Sequence, residues 1–179
     1  MLRSVNGAQQ RDRFWILELE LTLRILRAGL AGAIAWWAGL MLLFGGAQGV
    51  LGHPALQSSK LNAIYEMQPP PRIASEPWLL PLGILVVALI HAATFAYIRL
   101  ALPRGIVRRG LAFAAISWAL LVPWFEFYLP WNLMLEPTAL VLLEMVIWAG
   151  VLMMVGIAIS FGLGRDANEQ LPPPKGQSL

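Results

Sequence analysis

The chain has 179 residues, of which 58% carry hydrophobic side chains and only 13% carry charges. A soluble domain is nearer half apolar and a quarter charged, so this composition excludes an ordinary water-soluble fold and indicates a membrane protein. The net charge of +3 comes from basic residues at the ends of apolar runs, which argues against nucleic acid as a partner. The lack of cysteine excludes disulfides, thiol catalysis and Cys-based zinc or iron–sulfur sites.

Residues 1–27 form a polar and basic start that leads into alternating leucines and charges. The alternation over residues 17–24 has the period of a strand, but a lone strand beside a membrane would leave its backbone groups unpaired. Leu, Glu and Arg favour helix, and Glu20 and Arg24 form a supportive pair one turn apart. We therefore predict an interfacial amphipathic helix, continuous with the first span. The apolar run behind it is too long for the core of a signal peptide, so we expect it to be retained.

Four apolar runs are long enough to cross the hydrocarbon core of a bilayer, which takes about 20 helical residues. They predict an all-α bundle of four transmembrane helices within residues 28–163, with spans at 28–46, 78–98, 107–129 and 137–163. The longest connection is 47–77, in which Ser58 or Ser59 can cap a short helix. Residues 164–179 are polar and proline-rich, and we expect an extended or disordered tail.

The distribution of Lys and Arg predicts how the bundle is inserted. Five lie before the first span, four around the turn between the second and third spans and two in the tail, against only Lys60 and Arg72 in the other connections. Positive charge concentrates on the cytoplasmic side of membrane proteins. We therefore predict a multi-pass protein of the cell membrane, surrounded by membrane lipid, with cytoplasmic N- and C-termini and an outer loop at 47–77.

Two ionisable residues, His91 and Glu144, lie deep inside the predicted spans, where a charge at the bilayer centre costs at least about 2.5–3.5 kcal/mol. His91 lies near mid-depth in the second span, and Glu144 lies about two turns into the fourth. One interpretation is that these side chains meet across the bundle and line a proton or cation path. The other is that backbone carbonyls, hydroxyls or lipid headgroups satisfy each separately, and that both only tune packing.

A second polar group, consisting of Glu126, Asn132 and Glu136, lies in the segment WFEFYLPWNLMLEP at the outer end of the third span. Two carboxylates and an amide can bind a cation or act as an acid–base pair. Alternatively, they are solvated interfacial residues, with Asn132 bonded to its own turn and Glu136 completing the start of the fourth helix.

The last span carries small residues at intervals of four, at Gly156, Ser160 and Gly164. Such a ridge lets another helix approach closely. It predicts either a homo-oligomer or attachment to other membrane-protein subunits.

No motif in the sequence names a chemistry. Walker, Rossmann, zinc-protease and nucleophile-elbow signatures are absent, and the two histidines, His53 and His91, lie at different predicted depths, which argues against haem. We therefore expect no catalytic residues, no cofactor and no metal, and favour a non-enzymatic accessory or scaffold protein. The alternative is a small oligomeric transporter or channel with a proton or cation path at His91 and Glu144. A membrane enzyme or a quinone-binding protein comes third.

Overall fold

The structure, a computed structural model, describes residues 3–56 and 58–164. Within these ranges the chain is helical, with no strand, which confirms the predicted all-α class. Four helical stretches are long and apolar enough to cross a membrane, as expected for a multi-pass protein: Glu18–Leu51, Leu79–Ala101, Ile106–Leu133 and Thr138–Leu163. We predicted an extended tail at residues 164–179, and from residue 165 onward these lie outside the described ranges.

The described ranges contain seven α-helices, several of them joined by π-helical or 3-10 turns. The α-helices are α1 (Arg3–Gly39), α2 (Gly45–Leu51), α3 (Ser59–Glu66), α4 (Arg72–Ser75), α5 (Leu79–Ile98), α6 (Ile106–Val122) and α7 (Thr138–Leu163). The π-helical segments are Leu40–Phe44 and Pro123–Leu133, and the 3-10 turns are Pro54–Leu56 and Arg99–Ala101.

The helix α1 runs without a break from the predicted interfacial segment into the first span. The pair predicted between Glu20 and Arg24 forms, and it supports the charged part of this helix. Arg27 Nε donates to the carbonyl oxygen of Gly162 at 2.9 Å, so the last turn of α7 lies beside Arg27. Glu20, Leu23 and Arg24 line a depression together with Leu163 and Gly164, so residues 3–19 extend past this turn by about 26 Å, at about 1.5 Å per residue.

The helices α1 and α7 form the centre of the bundle, with α5 packed on α1 and α6 packed on α7. A Cβ added at Gly156 would lie 2.3 Å from the carbonyl oxygen of Gly110, and one added at Gly162 would lie 2.6 Å from the Cα of Ala28. The backbones are thus in direct contact at these glycines.

The ridge predicted for a partner faces helices of the same chain. Gly156 packs on α6, and Ser160 Oγ donates to the carbonyl oxygen of Ile106 at 2.8 Å. Gly164, the third member, terminates α7 with a φ of +77°, a conformation that favours glycine. Gly156 and Ser160 are therefore occupied by α6 of the same chain, whereas a Cβ added at Gly164 would meet no atom within 4 Å.

The third span is longer than predicted, because α6 continues past residue 129 as the π-helical segment Pro123–Leu133. Pro123 and Pro130 lack the backbone N–H that an α-helix would use, and a π-helical stretch accommodates such interruptions. Glu126 lies within this segment and is buried.

Alternating helix directions give the bundle two ends. One end contains the turn at 102–105 and the C-terminal end of α7, and we call it the Arg104 end. The opposite end, with the connection 52–78 and residues 134–137, is the Lys60 end. Near the Arg104 end, Phe95 of α5 and Phe113 of α6 pack edge to face, with ring centroids 5.0 Å apart.

Candidate functional site

Lys60 joins the connection at the Lys60 end to the interior of the bundle. Its Nζ lies 2.6 Å from Oε2 of Glu126 and 2.6 Å from Oε2 of Glu144. Both glutamates are only 6% exposed. Burial lowers the pKa of Lys60, but the hydrogen bonds to the two carboxylates and their negative charge outweigh burial, so this pKa lies above its usual value. Lys60 is therefore held as a cation between two buried carboxylates.

Glu136 fixes the position of α3 and, through it, of Lys60. Ser58 Oγ accepts the backbone N–H of Leu61 at 3.1 Å and donates to Oε1 of Glu136 at 2.6 Å. The other oxygen, Oε2 of Glu136, accepts the backbone N–H of Lys60 at 2.7 Å. A carboxylate is well placed there because the first turn of a helix has unpaired N–H groups and a positive dipole end. The capped helix predicted at Ser58 is confirmed, and Glu136 stabilises the start of α3 instead of the start of α7.

Trp148 provides a second hydrogen-bond partner for the carboxylate of Glu126. Its indole N–H donates to Oε1 of Glu126 at 2.7 Å, so both oxygens of this buried carboxylate are bonded. Trp148 and Glu144 are one turn apart on α7 and approach Glu126 from the same side. We call Lys60, Glu126, Glu136 and Glu144, with Ser58 and Trp148, the Lys60 cluster.

The predicted outer group divides in the structure. Glu126 and Glu136 both belong to the Lys60 cluster and are linked through Lys60, whereas Asn132 is exposed. Sequence reasoning missed the roles of Lys60 and Trp148. The available signal was that three glutamates gather at an end of the bundle where Lys60 is one of only two basic residues.

His91 and Glu144, considered as a pair from the sequence, use different partners. Glu144 binds Lys60, whereas His91 Nδ1 lies 2.8 Å from the carbonyl oxygen of Val87 on its own helix. The His91 ring packs edge to face against Trp36 and Phe113, at centroid distances of 5.3 and 6.0 Å. No hydrogen bond joins His91 to Glu144 within the described ranges.

A cavity of about 470 Å³ lies beside the Lys60 cluster, between α5 and α6. Its wall is almost entirely apolar, and Glu126 and His91 are its titratable residues. It is lined by Trp36, Val87, His91, Leu121, Val122, Phe125, Glu126, Trp148 and Leu152.

A second depression, of about 350 Å³, shares Trp36, Val87 and Trp148 with this cavity and reaches Ile73 of α4. The two spaces are thus neighbours along α5. Volumes of this size accommodate small organic molecules.

The interior of α7 changes character beyond Glu144. Its buried side chains toward the Arg104 end are apolar until Ser160, and none is more than 8% exposed: Ile147, Val151, Leu152, Val155 and Ile159. This stretch of α7 therefore offers close apolar packing and no polar continuation from Glu144.

Within the described ranges, no group of three or more His, Cys, Asp or Glu is arranged to hold a metal ion. The carboxylates that could neutralise a cation instead surround the ammonium of Lys60. At the Arg104 end, a depression of about 470 Å³ is lined by Arg24 and Arg27. Arg24 pairs with Glu20, and Arg27 donates to Gly162, so both arginines already have partners there.

Comparison of the chain with protein-family models, with curated proteins and with solved structures finds no match. The function of this protein is therefore inferred from its site alone. The relevant features are a buried charged cluster that fixes one end of the bundle and an apolar cavity beside it.

Proposed function

We propose that this chain is a non-enzymatic, multi-pass protein of the cell membrane that binds a lipid-soluble small molecule between α5 and α6. The observation that carries the proposal is the apolar cavity of about 470 Å³, with two titratable residues in its wall. Ligand sites have this character, with mostly apolar linings and a few polar groups that orient the ligand. A cavity between two apolar helices would admit a hydrophobic molecule directly from the bilayer.

The Lys60 cluster supports this proposal by its position. Glu126 belongs both to the cluster and to the cavity wall. Lys60 holds the π-helical segment and α7 at fixed positions, so the cavity is bounded by side chains that are themselves restrained. The apolar packing beyond Glu144 favours binding over conduction through the bundle.

For orientation, we propose cytoplasmic termini, with the Lys60 end outside. The support is the excess of Lys and Arg on the side of the termini and the 102–105 turn, eleven against two.

The test is to purify the protein in a mild detergent and to identify by mass analysis the small molecules that it retains. Leu121 lines the cavity, so Leu121→Trp fills it, whereas neighbouring Leu120 is 73% exposed and Leu120→Trp is the matched control. We expect one lipid-soluble species to accompany the wild type and Leu120→Trp, and to be lost from Leu121→Trp. Equal retention by both variants would refute a ligand in this cavity.

A second function, that of an accessory or scaffold protein, is favoured by the part of α1 beside and beyond the last turn of α7. There, four large apolar side chains are each more than half exposed: Trp15, Ile16, Leu19 and Leu23. A second copy or another membrane subunit could bind along them. The double variant Leu19→Glu with Leu23→Glu should reduce the oligomer size, or remove the co-purifying protein, in gentle detergent. Thr22→Glu is the control, and an unchanged assembly in both variants would count against this role.

A further inference from the structure

We infer that the ligand of the cavity carries a ring hydroxyl, as a lipid-soluble phenol or quinol does, and that His91 accepts the hydrogen bond from that hydroxyl. The inference rests on the proposed function, because it names the chemical class of molecule that the cavity binds.

His91 carries its ring hydrogen on Nδ1. Its Nδ1 lies 2.8 Å from the carbonyl oxygen of Val87. A carbonyl oxygen can only accept, so Nδ1 carries the hydrogen of this bond. In the neutral ring, Nε2 is then a hydrogen-bond acceptor with a free lone pair.

The acceptor Nε2 lies on the side of the ring that faces away from α5. Because Nδ1 points back at the backbone of α5, the Nε2 edge of the ring is directed away from that helix. His91 lines the cavity, and within the described ranges no residue donates a hydrogen bond to its Nε2. An unsatisfied polar atom at membrane depth is costly, since no bulk water is present to bond it. A ligand that donates a hydrogen bond would remove this cost.

The wall of the cavity beside His91 is aromatic. Trp36 packs edge to face against His91 and against Trp148, at centroid distances of 5.3 and 6.3 Å. Aromatic walls of this kind favour a flat ring, which they contact by stacking or by edge-to-face packing. A phenol combines the two features: its hydroxyl donates a hydrogen bond to His91, and its flat ring packs against the aromatic wall.

The probes are 4-nonylphenol and its methyl ether, 4-nonylanisole, which have the same ring and tail but differ in the donor. Their affinities are measured by titration of the protein in phosphatidylcholine nanodiscs. One neutral hydrogen bond corresponds to about a 3- to 10-fold preference for the phenol. We compare the ratio of the two affinities between wild type and His91→Phe, because different partitioning into lipid cancels in that comparison. His53→Phe, which alters the exposed loop histidine, is the matched control.

We expect the phenol preference of the wild type and of His53→Phe to exceed that of His91→Phe by about 3- to 10-fold. Equal ratios in all three proteins, with binding still blocked by Leu121→Trp, would overturn the inference and leave the proposed function intact. If neither probe shows saturable binding, the inference fails, and the retention experiment with Leu121→Trp and Leu120→Trp decides the proposed function separately.

A second measurement does not depend on the folding of His91→Phe. In wild-type protein labelled with ¹⁵N-histidine, two residues contribute signals, His53 and His91. The phenol should shift the Nε2 resonance of His91, and the anisole should leave it in place. A shift of equal size with both probes would contradict a hydrogen bond to His91.

Discussion

The two ends of the bundle are held together by different forces, and the apolar cavity lies toward the end that is held by charge. At the Arg104 end, Gly110 lies against Gly156 and Gly162 lies against Ala28, so α7 touches its neighbours backbone to backbone. At the Lys60 end, α3 inserts a lysine between carboxylates of the π-helical segment and α7. Glycine contacts draw helix axes together, whereas a charged side chain spans a wider gap. The cavity lies beside the charged cluster, and Glu126 belongs to both.

This contrast implies different sensitivities to mutation. The glycine contacts form because glycine has no side chain, and any side chain added there must push the backbone of the neighbouring helix away. The Lys60 cluster depends on charge balance, and the loss of its cation leaves buried carboxylates uncompensated. The following predictions test these dependences, beginning with the largest expected effect.

Lys60→Met should destabilise the protein most, because it leaves Glu126 and Glu144 buried without their cation. Breaking a buried ion pair by removing one partner typically costs about 3–5 kcal/mol. The measurement is the thermal unfolding midpoint in detergent. Adding Glu126→Gln and Glu144→Gln to Lys60→Met should recover most of the loss, since no uncompensated charge remains. A midpoint of Lys60→Met equal to that of the wild type would show that the cluster does not hold this end.

Gly156→Ala should cost about 1–3 kcal/mol, the usual range for overpacking a close contact. Its new Cβ would lie 2.3 Å from the carbonyl oxygen of Gly110, so α6 and α7 must move apart. Gly83→Ala is the control, because a Cβ there would meet no atom within 4 Å. Thermal unfolding should separate the two variants, and equal midpoints would refute the close contact of α6 with α7.

Glu136→Gln should loosen α3 with a smaller effect, about 1–2 kcal/mol, because a charged acceptor at the start of the helix becomes neutral. We expect faster amide hydrogen exchange of Lys60 and Leu61, with α7 little changed. Glu66→Gln, at the exposed end of α3, serves as the control. Unchanged exchange in Glu136→Gln would mean that Ser58 alone is sufficient to cap α3.

Changes in pH should have the smallest effect through Lys60. Since the pKa of Lys60 is raised in the folded state, its stabilisation is fully present below the unfolded pKa of about 10.4 and is lost as the pH rises through the folded value. Between pH 7 and 9, Lys60 should therefore contribute no slope to the unfolding midpoint. At higher pH, the midpoint of wild type should fall relative to that of Lys60→Arg, which stays charged. A relative fall that begins below pH 9 would contradict the raised pKa.

Several elements could be predicted because their causes are local in the chain. The four spans follow from long apolar runs, and α3 follows from a serine before a helix-favouring segment. The continuous helix α1 overrides a leucine alternation that has the period of a strand, because a helix satisfies its own backbone hydrogen bonds. The pairing of Glu20 with Arg24 needed only the geometry of one helical turn.

The candidate site was harder to predict, because its members come from distant parts of the chain. Glu126 and Glu136 were identified as a polar group, but their common partner was not. The ridge at Gly156 was identified as a packing surface, but the sequence could not show that α6 of the same chain would occupy it. The cavity has no signature in the sequence, since its lining residues come from four separate parts of the chain.

Composition and periodicity alone determined that this chain forms apolar helices of membrane-spanning length, because each helix satisfies its own backbone and each apolar run needs only lipid around it. The tertiary structure alone decided the rest. Lys60 is 66 residues from Glu126 and 84 from Glu144, and only the fold, which places α3 beside the π-helical segment and α7, brings the three together. A charge pairs with whatever lies within a few ångströms of it, and that distance is a property of the folded bundle.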